Sequence, residues 1–380
     1  MQRPVVIAGY ARSPFHFAGK GALVKMRPDE LAAQVVRGLL ERTGVEPADI
    51  EDLIVGCAFP EGEQGLNVAR LIGFLSDLPL SVAGVTVNRF CGSSMQAIHI
   101  AAGQIQMGAG EVFICAGVES MSRVPMAGFN PMLNPGLAER FPQAYVSMGE
   151  TAENVAAKYG IPRQRQEAFA LESHCRAAAA RAEGRLREEI VPVRRGNETV
   201  DADGCIRPDT TAEALADLKP AFKADGTVTA GTSSPLTDGA AAVLVTSEDY
   251  ARAHGLKPLA RLRAVAVAGC APEIMGIGPV VATRKALARA GLDTGDIDVI
   301  ELNEAFASQA LACIDELKLD PARINIDGGA IALGHPLGAT GARITGKAAQ
   351  IMQREGKALA LATQCIGGGQ GIATVLEAVA

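Results

Sequence analysis

The sequence predicts an α/β fold in which one unit is used twice, with a long segment inserted into the first copy. Composition is the first observation: of 380 residues, 48% are hydrophobic, 21% charged and 4% aromatic, with 42 glycines and no tryptophan, the profile of a tightly packed α/β protein. A recurring phrase is the second. Gly44-Val45-Glu46-Pro47-Ala48-Asp49-Ile50 is answered by Gly291-Leu292-Asp293-Thr294-Gly295-Asp296-Ile297, and an amphipathic helical pattern, 29–43 or 279–290, precedes each. The third is that the same offset pairs 94–108 with 341–355 and Val112-Phe113-Ile114 with Leu359-Ala360-Leu361. The closing stretches 238–245 and 370–377 echo each other in the same order.

The elements follow in turn. The chain opens as a strand over 4–10, then a helix capped by Asp29, with Leu31, Val35, Leu39 and Leu40 at helical spacing. Val85 and Val87 alternate as a strand, the chain turns over 88–92, and a helix starts near Ser94. In the second copy Gln364 to Gln370 joins the last two strands, whereas the equivalent step in the first copy runs from Gly117 to Asp238. The expected units are therefore 1–118 with 237–257, an insert over 119–236, and 258–380. The insert holds a Pro/Gly/Met-rich stretch (124–142), a long helix (163–183) and a hairpin-like region (190–207). A segment of this length generally serves function or an interface. The strand 324–326 answers Val85–Val87, but eight extra residues then precede the helix, and that longer turn carries His335, one of five histidines.

Several classes are excluded. A formal net charge of −6 argues against general nucleic-acid binding. No apolar run reaches the roughly 18 residues of a membrane span, and the start, Met1 to Ile7, lacks a signal peptide's apolar stretch. Eight scattered cysteines without a C-x-x-C pair suggest neither zinc nor a disulfide framework, and a reducing, cytoplasmic compartment fits.

Four candidates fall at strand ends, where α/β sheets bind ligands: Cys91, Asn303, His335 and Cys365. Cys91 sits where a strand turns into a helix, so free N–H groups and the helix dipole would favour its thiolate. A thiolate nucleophile needs a proton acceptor, and His335 is available. Backbone N–H groups in Gly367-Gly368-Gly369 can steady an oxyanion, and Cys365 supplies a second thiol for proton transfer. Two readings stay open for Asn303, which could cap the next helix, and for Cys365, which could be core packing. Cys57, Cys115, Cys270 and Cys313 read as core.

With these residues identified, the chain resembles the thiolase family across nearly its whole length. The matching blocks are Val87-Asn88-Arg89-Phe90-Cys91-Gly92-Ser93-Ser94, Asn303-Glu304-Ala305-Phe306, Gly328 to Pro336, and Cys365-Ile366-Gly367-Gly368-Gly369. The resemblance implies a thiolase-like fold, two βαβαβαββ halves in a layered α/β/α/β/α arrangement with an inserted loop domain. It implies that Cys91 is acylated and His335 activates it. His335, with a water held by Asn303, would form one oxyanion hole, and the N–H groups of Cys91 and Gly367 another. Cys365 would be the acid/base of carbon–carbon chemistry. The insert would hold coenzyme A, with Ser234 at the pantetheine, Arg207 at the nucleotide end, and Phe222 and Phe306 along the groove. Met148 and Met275 would line the acyl channel.

The motifs look most like degradative members that act on 3-ketoacyl-CoA and CoA. Ser147 stands where biosynthetic acetoacetyl-CoA members often have His, and those members are the alternative. A decarboxylating ketoacyl synthase and a non-catalytic acyl-CoA module are weaker rivals. The first uses a pair of histidines where Cys365 stands, and the intact site set opposes the second. The family also implies a homodimer or homotetramer, a hydratase/dehydrogenase partner as an option, and coenzyme A as substrate rather than a prosthetic group. Phe90 and Glu150 are departures expected to alter the acyl pocket.

Overall fold

The computed structural model describes residues 3–379. Met1, Gln2 and Ala380, the outermost residues of the expected first and last units, lie outside the described residues. The first half contributes β1 (Val5–Arg12), β2 (Asp52–Gly56), β3 (Ala83–Val87), β4 (Val112–Ser120) and β5 (Thr237–Ser247). The second half contributes β6 (Ala260–Gly269), β7 (Val299–Leu302), β8 (Leu359–Ile366) and β9 (Gln370–Glu377). The order in the first half is β1–β5–β4–β2–β3, and in the second β6–β9–β8–β7, with matching parallel and antiparallel pairings. The copies join through β1 and β6, where Val6 faces Arg261 and Ile7 faces Ala260. The duplication read from the sequence is thus a duplication of topology.

The helices are α1 (Pro28–Thr43), α2 (Val68–Leu75), α3 (Ser93–Met107), α4 (Met148–Tyr159), α5 (Arg163–Ala182), α6 (Gly278–Ala290), α7 (Ala307–Leu317) and α8 (Leu337–Glu355). Strand alternation decides the layers. Leu53, Val55, Ile114, Ala116, Ala242 and Leu244 face outward onto α1 and α2. Their neighbours Ile54, Phe113, Cys115, Ala241 and Val243 face inward onto α3 and α8, which Ala360, Ala362, Ile372 and Leu376 cover from the other half. Leu361, Ala373 and Val375 face outward again onto α6 and α7. Two half-sheets thus enclose a central helical layer and carry one helical layer on each outer side.

Glycine explains both the repeated phrase and the tight centre. Gly44 and Gly291 end α1 and α6 at φ of +66° and +68°, where a side chain is strained. Gly341 of α8 lies against the backbone of Met95 in α3, and a Cβ there would fall well inside contact distance of Met95 N.

Three local expectations need correction. Arg27, not Asp29, occupies the N-cap of α1, because Pro28 has no N–H to lose and its fixed φ suits the first helical position. Asp29 pairs with Arg27 at 2.7 Å instead. The expected strand 324–326 shrinks to one bridge between Ile300 and Ile324. Asn325 turns to φ +45°, and its side-chain amide replaces the ladder, accepting from Leu302 N at 3.0 Å and donating to Leu302 O at 2.8 Å. Cys270 is partly exposed, while Cys57, Cys115 and Cys313 are buried as expected.

Between β4 and β5 run α4, α5, short helical turns and a hairpin of Val193–Arg195 with Glu198–Val200. Gly341→Ala should lower stability by about 1–3 kcal/mol, because backbone rather than a flexible side chain opposes the added methyl. Urea denaturation followed by circular dichroism measures it.

Candidate active site

Cys91 lies in the turn between β3 and α3. Phe90, just before it, holds φ +43°, a costly conformation for a bulky residue. Side chains hold that turn: Asn88 Oδ1 accepts from Phe90 N at 2.8 Å, and Ser93 Oγ donates to Phe90 O at 2.6 Å. Gln364 Nε2 donates to Cys91 O from β8. A Cβ on Gly92 would stand 2.5 Å from Ile366 Cδ1, so a larger residue here would force the Ile366 side chain of the second half to shift.

Cys91, His335 and Cys365 open onto one cavity of about 300 Å³. Met148, Met275, Phe222, Phe306 and Ser234 line it too. Ser234 is fixed by its hydroxyl, which donates to Ala305 O at 3.0 Å. Phe222 stacks edge-on against Phe306 with ring centres 5.9 Å apart.

The remaining candidates lie outside the lining. Gly367 lies near enough for its backbone N–H to favour the Cys91 thiolate. Asn303 Nδ2 lies 3.4 Å from His335 Nε2, and Asn303 Oδ1 is buried without a protein donor. Arg207 stands apart, with its guanidinium 5.2 Å from the Phe17 ring centre. Phe90 packs against Phe59 outside the cavity. Glu150 closes a capping box with Ser147 at the start of α4; it does not line the cavity itself, but its carboxylate accepts at 2.8 Å from the hydroxyl of Ser147, which does.

Sequence reasoning missed five contributors. Met121, Met126, Leu236 and Leu337 complete the apolar wall from separate segments. Thr340 Oγ1 lies 2.6 Å from His335 Nδ1 and 3.4 Å from Pro336 O. One bond polarity satisfies all partners: the hydroxyl donates to Pro336 O, Nδ1–H donates to the hydroxyl, and Nε2 keeps its lone pair facing Asn303 Nδ2. His335 so held can accept a proton at Nε2. A hydroxyl five residues after a histidine, in the first turn of the next helix, is a signal the sequence did contain.

Electrostatics correct the expectation of a resting thiolate. Burial pushes the Cys91 thiol up to about 11, although the N–H groups of Gly367 and of Cys91 itself pull downward. Burial, assisted by the Arg343 charge, draws His335 down to about 3. The Cys365 thiol is likewise raised, first by burial and then by Cys91. The helix terminus acts locally, but removal from water acts on every charged form at once and outweighs it. At rest the pair is neutral thiol and neutral imidazole. Among the described residues no group of three or more His, Cys, Asp or Glu could hold a metal ion. No helix among them is long and apolar enough to cross a membrane.

Two thiols and an imidazole that share one cavity in a duplicated α/β fold define an acyl-transfer class of site, and the comparisons place the chain within it. Family models described as "Thiolase, N-terminal domain" and "Thiolase, C-terminal domain" match residues 5–249 and 256–378. The chain belongs to the thiolase family. It is similar to the 3-ketoacyl-CoA thiolase of Bacillus subtilis (strain 168), with 49% identity over 99% of this chain and 100% of that protein. The 3-ketoacyl-CoA thiolase of Marinobacter nauticus is 49% identical, with 99% of each chain covered. The crystal structure of human mitochondrial 3-ketoacyl-CoA thiolase in complex with CoA superposes with a TM-score of 0.92 at 38% identity, covering 99% of this chain and 98% of that one.

Alkylation of Cys91 by iodoacetamide should rise about tenfold per pH unit up to at least about pH 9, as expected well below a thiol's pKa. A plateau near neutrality, followed by intact mass, would contradict the neutral resting pair. Thr340→Val should cut kcat by about tenfold through loss of the bond that orients the imidazole. Steady-state kinetics with unchanged thermal stability checks it.

Proposed function

We propose that the chain cleaves a 3-ketoacyl-CoA with CoA to give acyl-CoA and acetyl-CoA, reversibly and by a ping-pong route. The observation that carries this reading is that two thiols and an imidazole share one apolar cavity. The full-length similarity to proteins named 3-ketoacyl-CoA thiolase agrees with it.

His335 Nε2 takes the Cys91 proton as the sulfur attacks the 3-keto carbon. The tetrahedral oxyanion would meet the N–H groups of Cys91 and Gly367, and the thioester oxygen, which takes up the enolate charge, would meet Nε2–H of His335 and a water held by Asn303. The bond between C2 and C3 then breaks, leaving an acyl thioester on Cys91 and the enolate of acetyl-CoA. Cys365 gives its proton to the enolate carbon. In the second half Cys365 thiolate takes the proton of the CoA thiol, and the CoA sulfur attacks the acyl group. The oxyanion formed on the acyl carbon would meet the N–H groups of Cys91 and Gly367. Cys91 leaves and recovers its proton from His335. The thioester carbonyl of the substrate stabilises the carbanion as an enolate, so coenzyme A enters as substrate and the reading needs no prosthetic group.

In this reading residues 119–236 form the inserted loop domain that receives coenzyme A and contributes oligomer contacts. Residues 1–118 with 237–257 and residues 258–380 form the two halves. Ser234, Phe222 and Phe306 face the pantetheine arm, Arg207 the nucleotide end, and Met148 and Met275 the acyl chain. A cytoplasmic homodimer or homotetramer, with a hydratase/dehydrogenase partner as an option, completes the proposal.

Cys91→Ala should abolish the acyl-enzyme mass and reduce thiolysis by about 10³-fold or more. Cys365→Ala should still accept an acyl group from acyl-CoA and lose carbon–carbon cleavage. Thiolysis at the wild-type rate in either variant would sink the assignment. A rate series over 3-ketoacyl-CoA chain lengths fixes the preferred substrate.

A further inference from the structure

Glu119 lies near the end of β4, has no part in the acyl transfer above, and is fully buried. Its carboxylate gathers five donors. Oε2 accepts from the amides of Ala58 at 2.8 Å and Gly338 at 2.9 Å. Oε1 accepts from the amide of Phe59 at 3.2 Å, from Gln64 Nε2 at 2.8 Å, and from the Cys57 thiol at 3.6 Å. The Gln64 amide cannot turn round, because its Oε1 already accepts from Ser120 N at 2.6 Å. An all-donor surround fits an ionised carboxylate, and Gly338, in the first turn of α8, adds the positive end of that helix.

Two of these donors lead to the reacting groups. From Ala58 the chain of bonds continues to the nucleophile turn: Asn88 Nδ2 donates to Ala58 O at 2.9 Å, and Asn88 Oδ1 holds the amide of Phe90, the strained residue before Cys91. On the other side, Gly338 follows His335 by three residues. Its backbone is pressed so close to the ends of β2 and β4 that a Cβ would stand 2.8 Å from Gly56 O and Val118 O. We propose that Glu119 is a positioning residue that sets the Cys91 turn and the His335 turn relative to each other. It acts through Ala58, Asn88 and Phe90 on one side and through Gly338 on the other.

This inference takes its main assay from the thiolase reading, so a second assay is included that does not need that reading. Glu119→Ala removes both carboxylate oxygens and with them the shared acceptor of Ala58 N and Gly338 N, so it breaks both branches. Asn88→Ala breaks only the Cys91 branch, at an exposed position. Full-length variants are compared in thiolysis, and in acylation of Cys91 by p-nitrophenyl acetate followed by intact mass. Glu119→Ala should lower kcat by about 100-fold and Asn88→Ala by about 10-fold, the scale of a displacement near 1 Å. The KM for CoA should stay within about twofold in both, because the cavity wall that would receive CoA is untouched. Acetylation of Cys91 should slow in parallel.

A purely structural role would lower the yield of folded enzyme while leaving the kcat of the folded fraction at its wild-type value. That result in either variant overturns the proposal. If Glu119→Ala does not fold, Asn88→Ala decides alone. If the wild-type protein shows no thiolysis, the functional reading fails, and Cys91 acetylation still decides this one: equal rates in wild type and Asn88→Ala refute it.

Discussion

The close approach of α3 and α8 at the centre of the molecule is the constraint on which the rest depends. Gly341 lets the two helices touch backbone to backbone, and Gly117 and Gly338 do the same where the start of α8 meets the end of β4. The turns that lead into these helices, with Cys91 ahead of α3 and His335 ahead of α8, therefore come together over one cavity. A side chain at any of these glycines would separate the helices, and separation here is separation of the reacting groups. Packing and chemistry are set by the same contacts, since a close-packed interior cannot yield at one point without moving its neighbours.

The central layer also carries charge. Arg343 and Lys347 of α8 are almost wholly buried. Arg343 pairs with Glu301 at 2.7 Å, and Lys347 reaches Asp327 at 2.7 Å and Glu189 at 3.2 Å. Arg12 completes the cluster with Glu189 and Asp203, both at 2.7 Å. Buried pairs add little net stability over apolar packing, yet removing one partner costs about 3–5 kcal/mol because the other charge is stranded. Their value is therefore in register. Glu189 and Asp203 come from the segment between β4 and β5, and only one placement of that segment on α8 and β1 leaves every charge matched. The same segment supplies Met148, Phe222 and Ser234 to the cavity, so the ion cluster fixes one wall of the site from a distance.

Much of this was legible in the sequence, and the failures share a cause. The duplication could be read because its signals are local: helix-ending glycines at Gly44 and Gly291, alternation in each strand, and a short step from Gln364 to Gln370 against a long one from Gly117 to Asp238. Cys91 and Cys365 could be placed for the same reason, since strand ends can be located without knowing what packs on them, whereas His335 reaches the cavity from a turn after the short helix Ala330–Leu333. The strand 324–326 misled because Asn325 satisfies Leu302 with its side chain, which no strand pattern anticipates. The thiolate expectation weighed a local helix terminus and could not weigh burial, a property of the whole fold. Thr340 and Glu119 escaped because each acts through a partner that only the folded chain brings near.

The chemistry of the cavity follows from its dryness. An apolar wall of methionine, phenylalanine and leucine side chains disfavours every charged form. Burial is accordingly the first cause both of the raised Cys91 thiol and of the lowered His335 imidazole. A permanent thiolate in such a place would need a permanent counter-charge, and a bound thioester would have to displace it. Two neutral thiols avoid that conflict. Sulfur is a competent nucleophile once its proton moves, and a raised thiol is a competent acid toward a carbanion, which is more basic still. On the proposed mechanism charge then develops only during reaction, where the N–H groups of Cys91 and Gly367 and the Asn303–His335 pair would receive it. Preorganised donors of this kind act most strongly where water is excluded. The apolar wall that suppresses the resting thiolate therefore also strengthens the groups that stabilise the charge formed later, and one arrangement of side chains accounts for a quiet resting state and a reactive occupied one.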